Sequence, residues 1–295
     1  MASLLVQVRT KLALHVRRKA RGPLPGEYSS IHKGRSMDFD DLREYQRGDD
    51  VKDIDWKSSA RTGSVLLKRY VAVRKHHVLL VVDTGRSMTA IAADGTPKQD
   101  LAVLVAGVLG SVVVGHGDLV GLLAGDGAGP QRAPWRSGPL HLEEMLRAVH
   151  DRIAAGTAPS DLLGLLRRVR DDHRRRLVVA VVTDEGSWND EIAELLRRLR
   201  VQHEVIWFTL LDADLLADDL AERNLADVDT AARLPAAVRD DPRLRAEYSA
   251  AIDAARAARR RALTQLGVLH EDVAGEDAAI PAVLRLVERS RRATA

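Results

Sequence analysis

Four short apolar runs, Val78–Val82, Leu119–Ala124, Leu177–Thr183 and Val205–Leu210, are separated by long stretches in which apolar residues return every three or four positions. Such runs predict strands buried on both faces, and the helical periodicity between them predicts the helices that cover those faces. The expectation is an α/β fold: a mostly parallel, Rossmann-like sheet with helices on both sides. Leu142, Met145, Leu146, Val149 and Ile153 mark one helical face; Ile192, Leu195, Leu196 and Leu199 mark another. The longest apolar run, Leu101–Gly115, lies in the predicted central helix, which is apolar nearly all round and has Thr96 as N-cap and Pro97 as its first residue. That stretch is shorter than the roughly 20 residues needed to cross a bilayer. Farther on, Arg243–Leu266 with Gly267 as a cap predicts a long helix, Val268–His270 a last strand and Ile280–Val287 a last helix. Residues 211–241 read as loop with short helical pieces.

The first 76 residues have a different texture, so the chain divides into 1–76 and 77–295. Leu5, Val8, Leu12 and Val16 recur at helical spacing among basic residues and predict an amphipathic helix docked on a surface. Arg21–Ser30 holds two prolines and two glycines and reads as a linker. Residues 31–75 are polar, with a strand-like Val65-Leu66-Leu67, and are expected to pack on the larger part because so little surface cannot sustain a separate core.

Composition narrows the chemistry. The chain of 295 residues has no cysteine, which excludes thiolate zinc sites and cysteine nucleophiles and suits a reducing, cytoplasmic setting. Lys and Arg number 45 against 42 Asp and Glu, so the surface is densely charged but balanced, and no nucleic-acid partner is predicted. Arg174–Arg176 and Arg259–Arg261 lack the interleaved aromatics that stack on bases. Phosphate-binding loops, nucleophile elbows and paired metal histidines have no match.

In open parallel sheets, ligands sit beyond the carboxyl ends of the strands. Asp83 and Asp184 each follow an apolar run, and with the hydroxyls of Ser87, Thr157 and Ser160 they form an oxygen-rich set suited to Mg2+ or another hard divalent cation. The same aspartates would serve equally as caps for loop N–H groups without metal. Asp83-Thr84-Gly85-Arg86-Ser87 resembles the von Willebrand factor A domain, whose metal-ion-dependent adhesion site uses Asp-x-Ser-x-Ser, a loop threonine and a later aspartate. The resemblance implies Asp83, Ser87, Thr157 and Asp184 as ligands. Gly85 stands where the first serine would be and Arg86 adds a cation, so weak metal binding is expected, completed by a partner's carboxylate. Arg86 and Trp188 are candidate partner contacts.

Upstream, the segment Asp38–Arg61 carries Arg43-Glu44-Tyr45, Gly48-Asp49-Asp50, Ile54-Asp55-Trp56 and Ser59-Ala60-Arg61. It is similar to the signature of the family called domain of unknown function 58, which precedes a von Willebrand factor A-like domain. Tyr45 and Trp56 are expected to bury, Arg43 and Arg61 to hold Asp50 or Asp55, and Gly48 to supply a turn. The resemblance implies a non-catalytic protein-binding scaffold or adaptor working with a MoxR-type AAA+ ATPase. The alternative is a metal-dependent hydrolase or nuclease using Asp49, Asp50, Asp53 and Asp55.

Overall fold

The computed structural model describes residues 3–20, 39–46, 49–70, 75–156, 158–217 and 226–294. Two compact units emerge, residues 1–25 with 76–295, and residues 26–75.

The larger unit is built on a six-stranded sheet of β3 (His77–Asp83), β4 (Leu119–Asp126), β5 (Gly129–Arg136), β6 (Val178–Asp184), β7 (Glu204–Leu210) and β8 (Leu269–Val273). The order is β5-β4-β3-β6-β7-β8, parallel except for β5, which returns antiparallel along β4. Side chains alternate across a strand, so β3 sends Leu80 and Val82 into one core and Leu79 and Val81 into the other. The first core is covered by α3 (Lys98–Gly115), α4 (Pro139–Ala155) and α9 (Glu276–Thr294). The second is covered by α5 (Leu162–Asp172), α6 (Asp190–Gln202) and Leu263 of the long α8 (Pro242–Gln265). A short α7 (Ala236–Asp240) precedes α8.

The predicted strands and the central helix are present. The helix α3 is long and apolar enough to cross a membrane by composition, but it lies in the protein core, flanked by α4 and α9. It starts at Lys98, with Pro97 as its cap and no side-chain cap from Thr96, one step later than the Thr-Pro pattern predicts. The edge strand β5 carries no clear sequence signal, because Pro130 and Pro134 interrupt it where proline is tolerated; α5, by contrast, has Asp161 as its cap and Leu162, Leu165, Leu166 and Val169 at helical spacing.

The helix α1 (Leu4–Ala20) packs on α3 and α4, although the division at residue 76 groups it with the signature segment. Leu5 and Val8 are buried there, and Gly107 lets α3 come close: a Cβ at that position would lie 2.8 Å from a Val8 methyl. Glu143 of α4 accepts from the backbone N–H groups of Leu4 (3.2 Å) and Leu5 (2.7 Å) and from the Ser3 hydroxyl (2.9 Å), which caps the helix from another element.

In the smaller unit, β1 (Phe39–Glu44) pairs antiparallel with β2 (Leu66–Tyr70), and α2 (Trp56–Thr62) lies between them in sequence. The turn of helix at Val51–Asp53 leads into Ile54, which bridges to Leu67, and both are buried.

Candidate functional site at the strand edge

The direction of winding reverses between β3 and β6, and this is the crevice where open α/β sheets hold ligands. Asp83 ends β3 and Asp184 ends β6, so strand pairing brings them to one edge. Asp83 is 0% exposed. Its Oδ1 accepts from the Gly85 N–H at 2.9 Å, and its Oδ2 accepts from the hydroxyls of Ser160, Thr183 (3.1 Å) and Ser187 (3.0 Å). Asp184 Oδ1 accepts from the Ser187 N–H (3.1 Å) and hydroxyl (2.8 Å). Burial pushes the Asp83 carboxyl up from its ordinary range, the charge of Asp184 adds to this, and the hydroxyl and amide donors oppose it.

The Ser187 hydroxyl lies within hydrogen-bonding distance of both carboxylates and of Ser160 Oγ, yet a hydroxyl has one proton to give. Meanwhile Ser87 Oγ is buried with no hydrogen-bond partner. Two carboxylates and the hydroxyls of Ser160, Thr183 and Ser187 thus meet at this edge, with the unpartnered Ser87 hydroxyl in the turn that follows β3, an oxygen-rich set whose chemistry matches a hard cation. Among the described residues no group of three or more His, Asp or Glu side chains is placed to hold a metal, so any cation here depends on hydroxyls and water besides the two carboxylates.

Gly85 is required by its neighbour. A Cβ on Gly85 would collide with the backbone of Ser160 and approach its Cβ to 2.9 Å. The 158–160 segment occupies the space of the missing side chain, anchored by the Arg86 N–H to Ala158 O bond of 2.8 Å, and returns a hydroxyl to Asp83 through Ser160. The serine that the adhesion-site pattern has at this position finds no room here. Thr157, the implied loop threonine, lies outside the described residues. Arg86 sits half-exposed on the rim, 3.9 Å from Asp229.

Behind the edge, Arg152 of α4 binds Asp126 with two nitrogens at 2.9 and 2.8 Å and donates to Thr84 Oγ at 3.1 Å, which ties α4 to the loop after β3. Burial alone would raise Asp126, but the hydrogen bonds from Arg152 and the Ala128 N–H outweigh it and hold the carboxyl below its usual range. On the other side, Glu185 accepts two bonds of 2.8 Å from Arg256 and one of 3.0 Å from the Asp212 N–H. Lys98, fully buried, pairs with Asp212 and lies 3.8 Å from Asp184. Ser187 and Lys98 escape a sequence reading of the site. Ser187 had a signal, three residues beyond an aspartate at a strand end; Lys98 had only its oddness at the head of the most apolar helix.

The signature residues take other roles than those expected. Arg43 pairs with Asp49 at 2.6 Å, neither Asp50 nor Asp55. Asp50 caps the helical turn by accepting from the Lys52 N–H, and Asp55 caps α2 by accepting from Lys57 and Ser58 N–H. Three of the four carboxylates of the acidic cluster are thereby engaged in local structure; the Asp53 side chain and Gly48 lie outside the described residues. Glu44 ends β1, while Ala60 and Arg61 lie on exposed turns of α2. Tyr45 and Trp56 are exposed on the smaller unit, Trp56 to 66%, so that unit's own small core does not bury them. Trp188 instead packs edge-on against the buried Trp207, with centroids 5.7 Å apart. The Trp188→Ala variant is accordingly expected to cost about 2 kcal/mol, short of a full core truncation, and Trp56→Ala less than about 0.5 kcal/mol, as exposed positions do. Thermal melts of the two variants check the order; a larger loss for Trp56→Ala would contradict it.

A six-stranded, mostly parallel sheet with a switch-point crevice lined by strand-end aspartates and serines defines a doubly wound α/β protein. The chain belongs to the family described as protein of unknown function DUF58, which matches residues 41–258. It is 31% identical over 252 residues to uncharacterized proteins of Mycobacterium tuberculosis and Mycobacterium bovis, covering 83% of this chain and 77% of each relative. Among solved structures, it is similar to an aerotolerance-related membrane protein from Bacteroides fragilis (TM-score 0.47, 13% identity, 72% of this chain and 99% of that one). It is also similar to the conserved hypothetical protein BatB from Bacteroides thetaiotaomicron (TM-score 0.45, 12% identity, 74% and 99%).

Proposed function

We propose that this protein is a cytoplasmic, non-catalytic scaffold whose strand-edge site binds a partner protein through a weakly held divalent cation. The observation that carries the proposal is the pair of strand-end carboxylates ringed by serine hydroxyls, with a buried, unpartnered Ser87 hydroxyl in the turn that follows Asp83. Asp83 and Asp184 would supply the negative charge, and Ser87, Ser160 and Ser187 neutral oxygens. Mg2+ prefers six oxygens and sheds water reluctantly, so this set leaves positions for water and for one carboxylate from the partner. Arg86, on the rim, would steer that carboxylate inward. A MoxR-type AAA+ ATPase is the proposed partner, on the strength of the family resemblance.

Two measurements test this. Isothermal titration with Mg2+ and Mn2+ should give weak binding to the wild type and none to Asp83→Asn. A purified MoxR-type ATPase should be retained by the immobilised protein in Mg2+ and released by chelator. Absence of metal binding at millimolar concentrations removes the cation from the proposal, and retention indifferent to chelator and to Asp83→Asn moves recognition elsewhere.

A further inference from the structure

Lys98 is an ammonium with 0% exposure at the first turn of α3. A cation is out of place there twice over: burial strips its water, and the amino end of a helix carries partial positive charge. The rest of α3 has no use for it, since Leu101, Ala102 and Val105 in the next turns are packed apolar. What the ammonium has is carboxylates. It pairs with Asp212, just past β7, and its Nζ stands 3.8 Å from Asp184 Oδ2. Asp184 Oδ1 is held by Ser187, so Lys98 attends to the one oxygen of Asp184 that Ser187 leaves over.

We propose that Lys98 is a tethered counter-cation that shares Asp184 with the divalent metal and thereby sets the affinity of the site. It rests on the metal reading given above. The ammonium neutralises part of the charge on Asp184 and repels a second cation, so the metal is held weakly until a partner carboxylate adds its own charge. Asp212 acts on the site through Lys98, drawing the ammonium toward itself and away from Asp184.

Two variants of the full chain should move metal binding in opposite directions, which a merely structural lysine would not do. In Asp212→Asn, Lys98 is left with Asp184 alone, and metal should bind more weakly than to wild type. In Lys98→Met/Asp212→Asn, the ammonium and its closest partner are removed together, so neither is left facing an empty place. This protein should bind at least about tenfold more tightly than Asp212→Asn, the order expected for deleting a unit charge a few ångströms from Asp184, and more tightly than wild type. The probe is Mn2+, followed through the electron paramagnetic resonance signal of the free ion, with circular dichroism to verify folding and Lys98→Gln/Asp212→Asn as a second neutral pair. Equal affinity in Asp212→Asn and both double variants overturns the role of Lys98 while leaving the metal site standing. Binding by none of the proteins overturns the metal site itself, and this proposal with it.

Discussion

Gly85→Ser is expected to destabilise the protein by about 3 kcal/mol, at the upper end for overpacked interiors. The collision is with the backbone of Ser160 and cannot be relieved by a side-chain rotation. Moving the 158–160 segment would also break the bond from the Arg86 N–H to Ala158 O and withdraw the Ser160 hydroxyl from Asp83. Gly186→Ser is the control, because a Cβ there meets only the Asp184 carboxylate oxygens, at an ordinary 3.8 Å. Chemical denaturation of the two variants should separate them by well over 1 kcal/mol. Equal midpoints would show that the loop yields freely and that Gly85 is not held by its neighbour.

Arg152→Met is expected to cost about 3 kcal/mol, the lower end of the range for breaking a buried ion pair, because Asp126 is buried whereas Arg152 is partly exposed. The loss should shrink in Arg152→Met/Asp126→Asn, in which no charge is left behind. A pH dependence follows from the same pair. Asp126 has its carboxyl lowered on folding, so its contribution is present above the ordinary carboxylate pKa of about 3.9 and fades as pH falls through the lower folded value. Wild type should therefore lose more stability than the double variant between about pH 4 and pH 2. Parallel acid profiles for the two proteins would count against the pair as a source of acid sensitivity.

Strands β3, β4, β6 and β7 were legible because their burial on two faces leaves an unbroken apolar run, and the aspartates at their ends were legible because topology fixes where strand ends meet. The edge strand β5 was not, since Pro130, Gln131 and Arg132 face conditions in which no apolar run is needed. Ser160 was legible as one hydroxyl of the site and Ser187 could have been, standing three residues past Asp184, but that the two converge on one oxygen of Asp83 was not, because those contacts join residues 77 and 104 positions from Asp83. The signature segment misled in a different way. Its Asp, Arg and Trp pattern suggested burial and long-range pairing, whereas Asp50 and Asp55 satisfy helix ends within three residues of themselves and the smaller unit's own core leaves Trp56 exposed.

The capping of α1 by Glu143 has a consequence for how the chain is made. The Leu5 N–H and its acceptor are separated by 138 residues, so the first helix leaves the ribosome long before its berth on α3 and α4 exists. At translation rates of about 5–20 residues per second, that interval is roughly 7 to 28 s. Throughout it, Leu5 and Val8 belong to an amphipathic, basic helix with nothing to cover them. The nascent chain thus offers a timed window for a chaperone to hold this helix, and the window closes when α4 is complete.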